Sequence, residues 1–217
     1  MDFEAAREEM VTIQIAQRGV RDPRVLDAMR HVPRHLFLPE DARIYAYVDS
    51  PLRIGCEQTI SQPYIVALMT ELLDVSSRDK VLEVGTGSGY QAAILSLLAR
   101  EVHSIERIPE LAEAAGETLA ALGYDNVQVH IGDGTEGLIE AAPYDRILVA
   151  AAAPEVPPPL MAQLADGGRL VIPVGSRTLQ QLEIWDLENG EFKQAKSIPV
   201  VFVPLIGEDG WQSDPLE

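Results

Sequence analysis

Cysteine is nearly absent from this chain: Cys56 is the only one among 217 residues. No disulfide can close within the chain and a cysteine-built zinc site lacks its ligands, which fits a reducing, cytoplasmic setting. A lone thiol serves more often as a small apolar side chain than as a nucleophile. Histidine is scarce too. Of His31, His35, His103 and His130, the first two share an i,i+4 spacing, but Pro33 between them spoils a helix there. No metal is therefore expected. Aromatic residues make up 6% of the chain, and 17 Lys and Arg stand against 34 Asp and Glu, a formal net charge of −17. A field of that sign repels phosphate backbones, and few rings are left to stack bases on, so nucleic acid is not an expected partner. No apolar run reaches the roughly 18 residues of a membrane span. The opening Met1-Asp-Phe-Glu-Ala-Ala-Arg-Glu-Glu-Met10 lacks the basic and apolar regions of a secretion signal. Neither membrane nor export is expected.

What remains is an ordinary globular composition, 47% hydrophobic and 24% charged. The length suits one large domain, or a domain with an appendage, able to bury a core unaided. Phe3, Ala6, Met10, Ile13 and Ala16 recur at helical spacing, predicting a helix over 3–18 stopped by Gly19. Asp22-Pro23 predicts the cap and first turn of a second helix to about Arg30. From Pro33 to Gly55 the chain reads as irregular, with Pro39 and Pro51 as breaks. A third helix is expected from Gln62-Pro63, with Ile65, Leu68, Met69, Leu72 and Leu73 facing inward. From Lys80 onward, β-branched runs at 80–84, 101–106, 126–131, 146–151 and 169–174 alternate with helical patterns at 89–99, 109–122 and 157–165. Such alternation predicts a doubly wound, mostly parallel α/β sheet covered on both faces. Asn189-Gly190, between strand-like runs at 179–187 and 193–203, predicts an antiparallel hairpin at the end of the sheet. The expected organisation is an N-terminal helical cap and substrate-side segment over 1–74 and an α/β domain over 75–217, together one compact unit, with a monomer as the expectation.

The chemistry concentrates after the first β-run. Val81-Leu-Glu-Val84 leads into Gly85-Thr-Gly87-Ser-Gly89, and a helical pattern follows. Glycines there permit a tight turn and a close approach of backbone to ligand, and in a doubly wound sheet this loop lies where ligands bind. The third glycine comes one residue earlier than in the dinucleotide fingerprint, and no Lys followed by Ser or Thr makes it a P-loop. Glu83 stands two residues before the first glycine, Glu106 ends the second β-run, and Asp133 follows the third in Gly132-Asp-Gly-Thr135. Acids with no basic residue in the loop suit S-adenosylmethionine, which has a ribose, an adenine, an amino-acid tail and a cationic sulfonium but no phosphate. Taken singly, the loop can be a structural turn, Glu106 a strand-end charge and Asp133 a turn former; the three together argue for a ligand.

The set Val81-Leu-Glu-Val-Gly-Thr-Gly-Ser-Gly-Tyr90, Ser104-Ile-Glu106 and Gly132-Asp-Gly134 resembles the class I S-adenosylmethionine-dependent methyltransferases. A narrower resemblance lies upstream. Gln58-Thr-Ile-Ser-Gln-Pro-Tyr64 is similar to a segment peculiar to protein-L-isoaspartate methyltransferases, as are Asp49-Ser-Pro51, Pro143-Tyr-Asp-Arg-Ile147, Ala151-Ala-Ala-Pro-Glu-Val-Pro157, Gly167 to Gly175 and Phe202-Val-Pro-Leu205. These pieces run in the family's order over about residues 20–211, with Arg146 and Ala150 at positions where the family varies and a match that fades from Gly207. The resemblance implies that Gly85, Thr86, Gly87, Ser88 and Gly89 hold the amino-acid moiety, Glu106 the ribose and Asp133 the adenine. Glu83, Arg107 and Gly134 belong to the same cofactor site, and Thr59 and Ile60 line it through the main chain. The implied reaction moves a methyl group from S-adenosylmethionine to the free α-carboxylate of L-isoaspartyl residues in damaged proteins and peptides, leaving S-adenosylhomocysteine. The ester then loses methanol to a succinimide, which initiates repair.

A carboxylate is already ionised near neutral pH, so this transfer needs no general base. Ser61 is the candidate for orienting it. The residue precedes Pro63 at an expected helix start, where free N–H groups favour an anion. Ser61 can equally be the helix N-cap, and the resemblance favours the functional role. Arg53 is a candidate for offsetting the acidic field. Two competing readings remain. An enzyme of the same fold acting on RNA or a small metabolite predicts basic patches or an aromatic base pocket. A nucleotide-binding module without catalysis predicts the dinucleotide spacing and no need for the Thr59-Ile-Ser-Gln-Pro63 segment.

Overall fold

The computed structural model describes residues 2–212, so positions 213–217 of the expected second unit lie outside the described residues. Asp2 caps helix α1 (Phe3–Glu9) by accepting hydrogen bonds from the N–H groups of Glu4 and Ala5. The expected single helix over 3–18 then departs from α geometry. Met10–Ile15 is π-helical and Ala16–Arg18 is 3₁₀, ending at Gly19 with φ +107°. The wider π turns shift the inward stripe. Met10, Val11 and Ile15 are buried, while Ile13, expected inward, is 48% exposed.

Helix α2 (Pro23–His31) starts at the Asp22 cap as expected. Two 3₁₀ segments follow, Arg34–Phe37 and Glu40–Tyr45. The end of the stretch read as irregular supplies β1 (Leu52–Gly55), which pairs antiparallel with β2 (Gln58–Ile60) just beyond it. Strands this short carry too few alternations to show a period. Helix α3 (Pro63–Leu73) buries Met69 and Leu73 as expected, and Val66 and Ala67 besides, whereas Ile65, Leu68 and Leu72 are half-buried. The helix lies between two apolar clusters, so it has no single inward stripe.

The main sheet starts at β3 (Lys80–Val84), and α4 (Tyr90–Ser96), β4 (Glu101–Glu106), α5 (Pro109–Ala121), β5 (Val127–Ile131) and β6 (Tyr144–Val149) follow in order. After α6 (Pro158–Ala162) come β7 (Leu164–Gly175), β8 (Gln180–Glu188) and β9 (Glu191–Val200). The strand order is β5-β4-β3-β6-β7-β8-β9, parallel through β7 and antiparallel for β8 and β9. Asn189 and Gly190 turn the last hairpin with φ +53° and +79°, the twist-matched turn their sequence predicts. Strand β7 begins five residues earlier than expected at 169. Asp166-Gly167-Gly168, left unassigned between the expected helix and strand, forms an irregularity inside the strand, where the pairing passes from Tyr144–Leu164 to Arg146–Arg169.

Alternation along the strands feeds two cores. Val81, Leu148 and Val171 join α3 on one face, and Leu82, Ile147 and Leu170 join α6 on the other. A third cluster ties Met10, Met29 and Val66 to Tyr90, Ala93 and Ile94 of α4. Each fully buried Val, Leu, Ile or Met side chain among these contributes about 1.5–3 kcal/mol. Strand order reverses beside β3, which has β4 on one side and β6 on the other. The crevice beyond the carboxyl end of β3 is therefore the natural ligand site.

Candidate active site

The loop leaving β3 depends on its glycines. Gly85, Gly87 and Gly89 have φ of +94°, +53° and +85°, values that residues with a Cβ rarely adopt. Gly89 also lets α4 approach α5, since a Cβ there would meet Leu119 at 3.3 Å. Beneath the loop, the Ser104 hydroxyl donates to the Glu83 carboxyl, and Thr86 Oγ1 lies 2.6 Å from Ser104 Oγ. Glu83 is fully buried. Burial pushes its carboxyl up to about 8, with the Ser104 hydrogen bond opposing and the Glu106 charge adding to the rise.

Above the loop is a cavity of about 240 Å³. Ten of the thirteen site residues expected from sequence line it: Thr59, Ile60, Ser61, Gly85, Thr86, Gly87, Ser88, Glu106, Arg107 and Gly134. Glu106, at the end of β4, accepts hydrogen bonds from the N–H groups of Gly87 (2.9 Å) and Ile108 (3.0 Å). Each carboxylate oxygen keeps capacity for one more donor. Gly134 must be glycine, because a Cβ would reach Val84 Cγ1 at 2.4 Å.

Glu83, Gly89 and Asp133 do not line the cavity. Asp133, expected on the adenine, holds the C-terminal segment. Its carboxylate accepts from Thr135 N (2.8 Å), Thr135 Oγ1 (2.7 Å) and Glu208 N (2.8 Å). Burial works to raise its pKa, but these donors outweigh burial and the net shift is downward. Arg53 is exposed and does not line the cavity either. The cavity is closed instead by Phe202 to Ile206 and by Arg177, whose guanidinium lies 5.1 Å from the Trp211 ring centroid. Neither received a role from the sequence, because their place depends on how the chain returns after β7 and β9.

Ser61 is not the helix cap. The N-cap of α3 is Gln62, which makes no side-chain cap bond, and Pro63 is the first helical residue. Among the described residues the Ser61 hydroxyl makes no hydrogen bond within the chain, while its carbonyl accepts from Arg34 Nη2 at 2.8 Å. Arg34 went unnoticed in the sequence, where a single arginine in a proline-broken stretch carries no signal.

The family model for protein-L-isoaspartate(D-aspartate) O-methyltransferase (PCMT) matches residues 5–210. The chain belongs to this family. Relatives named protein-L-isoaspartate O-methyltransferase include that of Methanoregula boonei, 56% identical over 95% of each chain. That of Methanoculleus marisnigri is 55% identical over 96% of this chain and 94% of its own. Among solved structures, a protein-L-isoaspartate O-methyltransferase superposes with a TM-score of 0.83 at 31% identity, covering 94% of this chain and 67% of that one. A putative protein-L-isoaspartate O-methyltransferase from Plasmodium falciparum, solved in complex with S-adenosyl-L-homocysteine, gives 0.81 at 26% identity, covering 92% and 98%.

The residues of this PCMT-family site fit S-adenosylmethionine. The loop offers main chain at glycines, and the end of β4 offers a carboxylate with spare acceptor capacity. Among the described residues no group of three His, Cys, Asp or Glu is placed to hold a metal.

Proposed function

We propose that Ser61 orients the α-carboxylate of an L-isoaspartyl residue and that Gly85–Ser88 and Glu106 hold the cofactor beside it. The reaction follows from the family: the chain is a methyltransferase that uses S-adenosylmethionine to esterify isoaspartyl residues and so initiates their repair. The cofactor supplies an electrophilic methyl group on a sulfonium. The chain's own task is to position and desolvate the acceptor. No residue has to remove a proton from a carboxylate at neutral pH, and no histidine is among the lining residues. Glu106 has the free acceptor positions that ribose hydroxyls require, and Arg107 and Gly134 flank it at the cavity wall. Asp133 shapes the far end indirectly, by anchoring the segment after Leu205.

The observation that carries this reading is the Ser61 hydroxyl, free of hydrogen bonds among the described residues, on a residue that lines the same cavity as the glycine loop. The test is methyl transfer from labelled S-adenosylmethionine to a matched isoaspartyl and aspartyl peptide pair. The wild type should methylate only the isoaspartyl peptide. Ser61→Ala should lower that turnover by about one to two orders of magnitude, roughly 1.4–2.7 kcal/mol of transition-state stabilisation. Its affinity for S-adenosylmethionine should stay the same. Full activity in Ser61→Ala, or equal activity on the aspartyl peptide, would remove the assignment.

The same reading makes the enzyme a monomer of the cytoplasm that does not engage nucleic acid. Support comes from a site built within one chain, an exposed free thiol at Cys56 and the −17 charge. No helix among the described residues is long and apolar enough to cross a membrane. The division near residue 74 into cap and α/β domain belongs to the same proposal. The cluster joining Met10 and Val66 to Tyr90 and Ile94 supports one compact unit.

A further inference from the structure

We propose that Arg34 is a positioning residue for the substrate carboxylate. Its guanidinium fixes the main chain at Ser61 and sets an unneutralised positive charge behind the wall that receives the anion. This rests on the role given to Ser61 above.

Arg34 is wholly buried. Its Nε donates to the Ala46 carbonyl (2.7 Å) and its Nη2 to the Ser61 carbonyl (2.8 Å). The guanidinium carbon lies 4.8 Å from the Tyr90 ring centroid, and both Tyr90 and Ser61 line the cavity. One arginine thus joins two separate main-chain segments and braces the wall from behind. Its Nη1 is buried without a hydrogen-bond partner among the described residues. Buried donors are rarely left so, and burying a cation without an ion pair is costly.

The charge persists despite burial. Desolvation pulls the Arg34 pKa down to about 10, which still leaves it cationic at neutral pH. Asp49 is a carboxylate that works to raise that pKa. That group is already paired with Arg18 at 2.5 Å, so the two arginines and one aspartate sum to +1. Tyr47 and Tyr90 add no anion, because burial pushes both phenols up. A net positive charge buried behind the wall projects into the cavity with less screening than a charge in solvent. It answers how a chain of net charge −17 accepts an anionic group.

The test compares an isoaspartyl peptide with its isoasparaginyl counterpart, in which the α-carboxylate is a neutral carboxamide. Binding of each is measured calorimetrically with S-adenosylhomocysteine saturating. The wild type should prefer the carboxylate. Arg34→Met should lose that preference by about tenfold or more, with S-adenosylhomocysteine affinity unchanged. Arg34→Lys, which keeps the charge, should retain it. An arginine with only a structural role would weaken both peptides by the same factor in Arg34→Met, and that result would overturn the proposal. Should Arg34→Met not fold, Arg34→Gln, which keeps a donor without the charge, takes its place: lost preference supports the proposal and retained preference overturns it. Ser61→Ala assayed for turnover alongside keeps the two ideas separable. Full turnover in that variant removes the role of Ser61, and this proposal with it. Reduced turnover there with the preference intact in Arg34→Met removes Arg34 alone.

Discussion

At the scale of residues, the two acids around the glycine loop have opposite environments and therefore opposite tasks. Glu106 faces the cavity and is held by two backbone N–H groups. Glu106→Ala should weaken S-adenosylmethionine binding by about 1.5–3 kcal/mol, the range for hydrogen bonds to a charged group, while circular dichroism shows the fold retained. Unchanged affinity by calorimetry would assign the ribose to another residue. Glu83 is sealed beneath the loop. Folded, it keeps its proton up to about pH 8, against an ordinary value of 4.5. Between those values the folded chain binds more protons than the unfolded one. The contribution of Glu83 to stability therefore falls as pH rises through that window and levels off above it. Glu83→Gln keeps an acceptor for Ser104 and has no charge to bury. Its thermal midpoint in the ligand-free protein should exceed that of the wild type by more at pH 8 than at about pH 5. A gap of several degrees is expected, since each kcal/mol moves the midpoint of a chain this size by about 2–4 °C. A gap independent of pH would show that Glu83 is ionised in the folded state.

At the scale of elements, what the sequence disclosed depended on how far each signal repeats. Five β-runs alternating with helices announced the sheet, and Asn189-Gly190 announced its last hairpin. The β1–β2 hairpin, which supplies Thr59 and Ile60 to the cavity, escaped. Its turn is Cys56-Glu57, with φ of +47° and +59° where Asn and Gly are the favoured residues. The contacts of Arg34 escaped for another reason. Both its partners are main-chain carbonyls, which any residue type supplies. The hold of Asp133 on the C-terminal segment escaped too, because its partner Glu208 lies 75 residues away. The hairpin turn itself yields a prediction. Left-handed backbone at non-glycine residues costs of order 1–3 kcal/mol each. Replacing Cys56-Glu57 by Asn-Gly should therefore raise the stability of the ligand-free protein by about 1 kcal/mol, read as a higher thermal midpoint. A lower midpoint would show that the Cys56 and Glu57 side chains contribute packing that outweighs the strain.

At the scale of the whole molecule, the −17 charge and the anionic acceptor pull against each other. Surface charges act over a Debye length, about 8 Å at physiological ionic strength, and salt weakens them. A cation behind the cavity wall acts through protein and is weakened much less. The two contributions can therefore be separated by salt. An isoaspartyl peptide flanked by lysines is drawn to the acidic surface, so its kcat/KM should fall as salt is raised from about 20 mM to about 300 mM, the range over which that length shrinks severalfold. The same peptide flanked by glutamates is repelled, so its kcat/KM should rise. The change should sit in KM, because steering alters encounter and not the transfer step. The ratio between wild type and Arg34→Met should hold at both salt concentrations if that arginine acts from inside the wall. Salt responses of the same sign for both peptides would mean that the net charge does not reach the site. A wild-type to Arg34→Met ratio that collapses at high salt would place the arginine's influence in solvent, contrary to its complete burial.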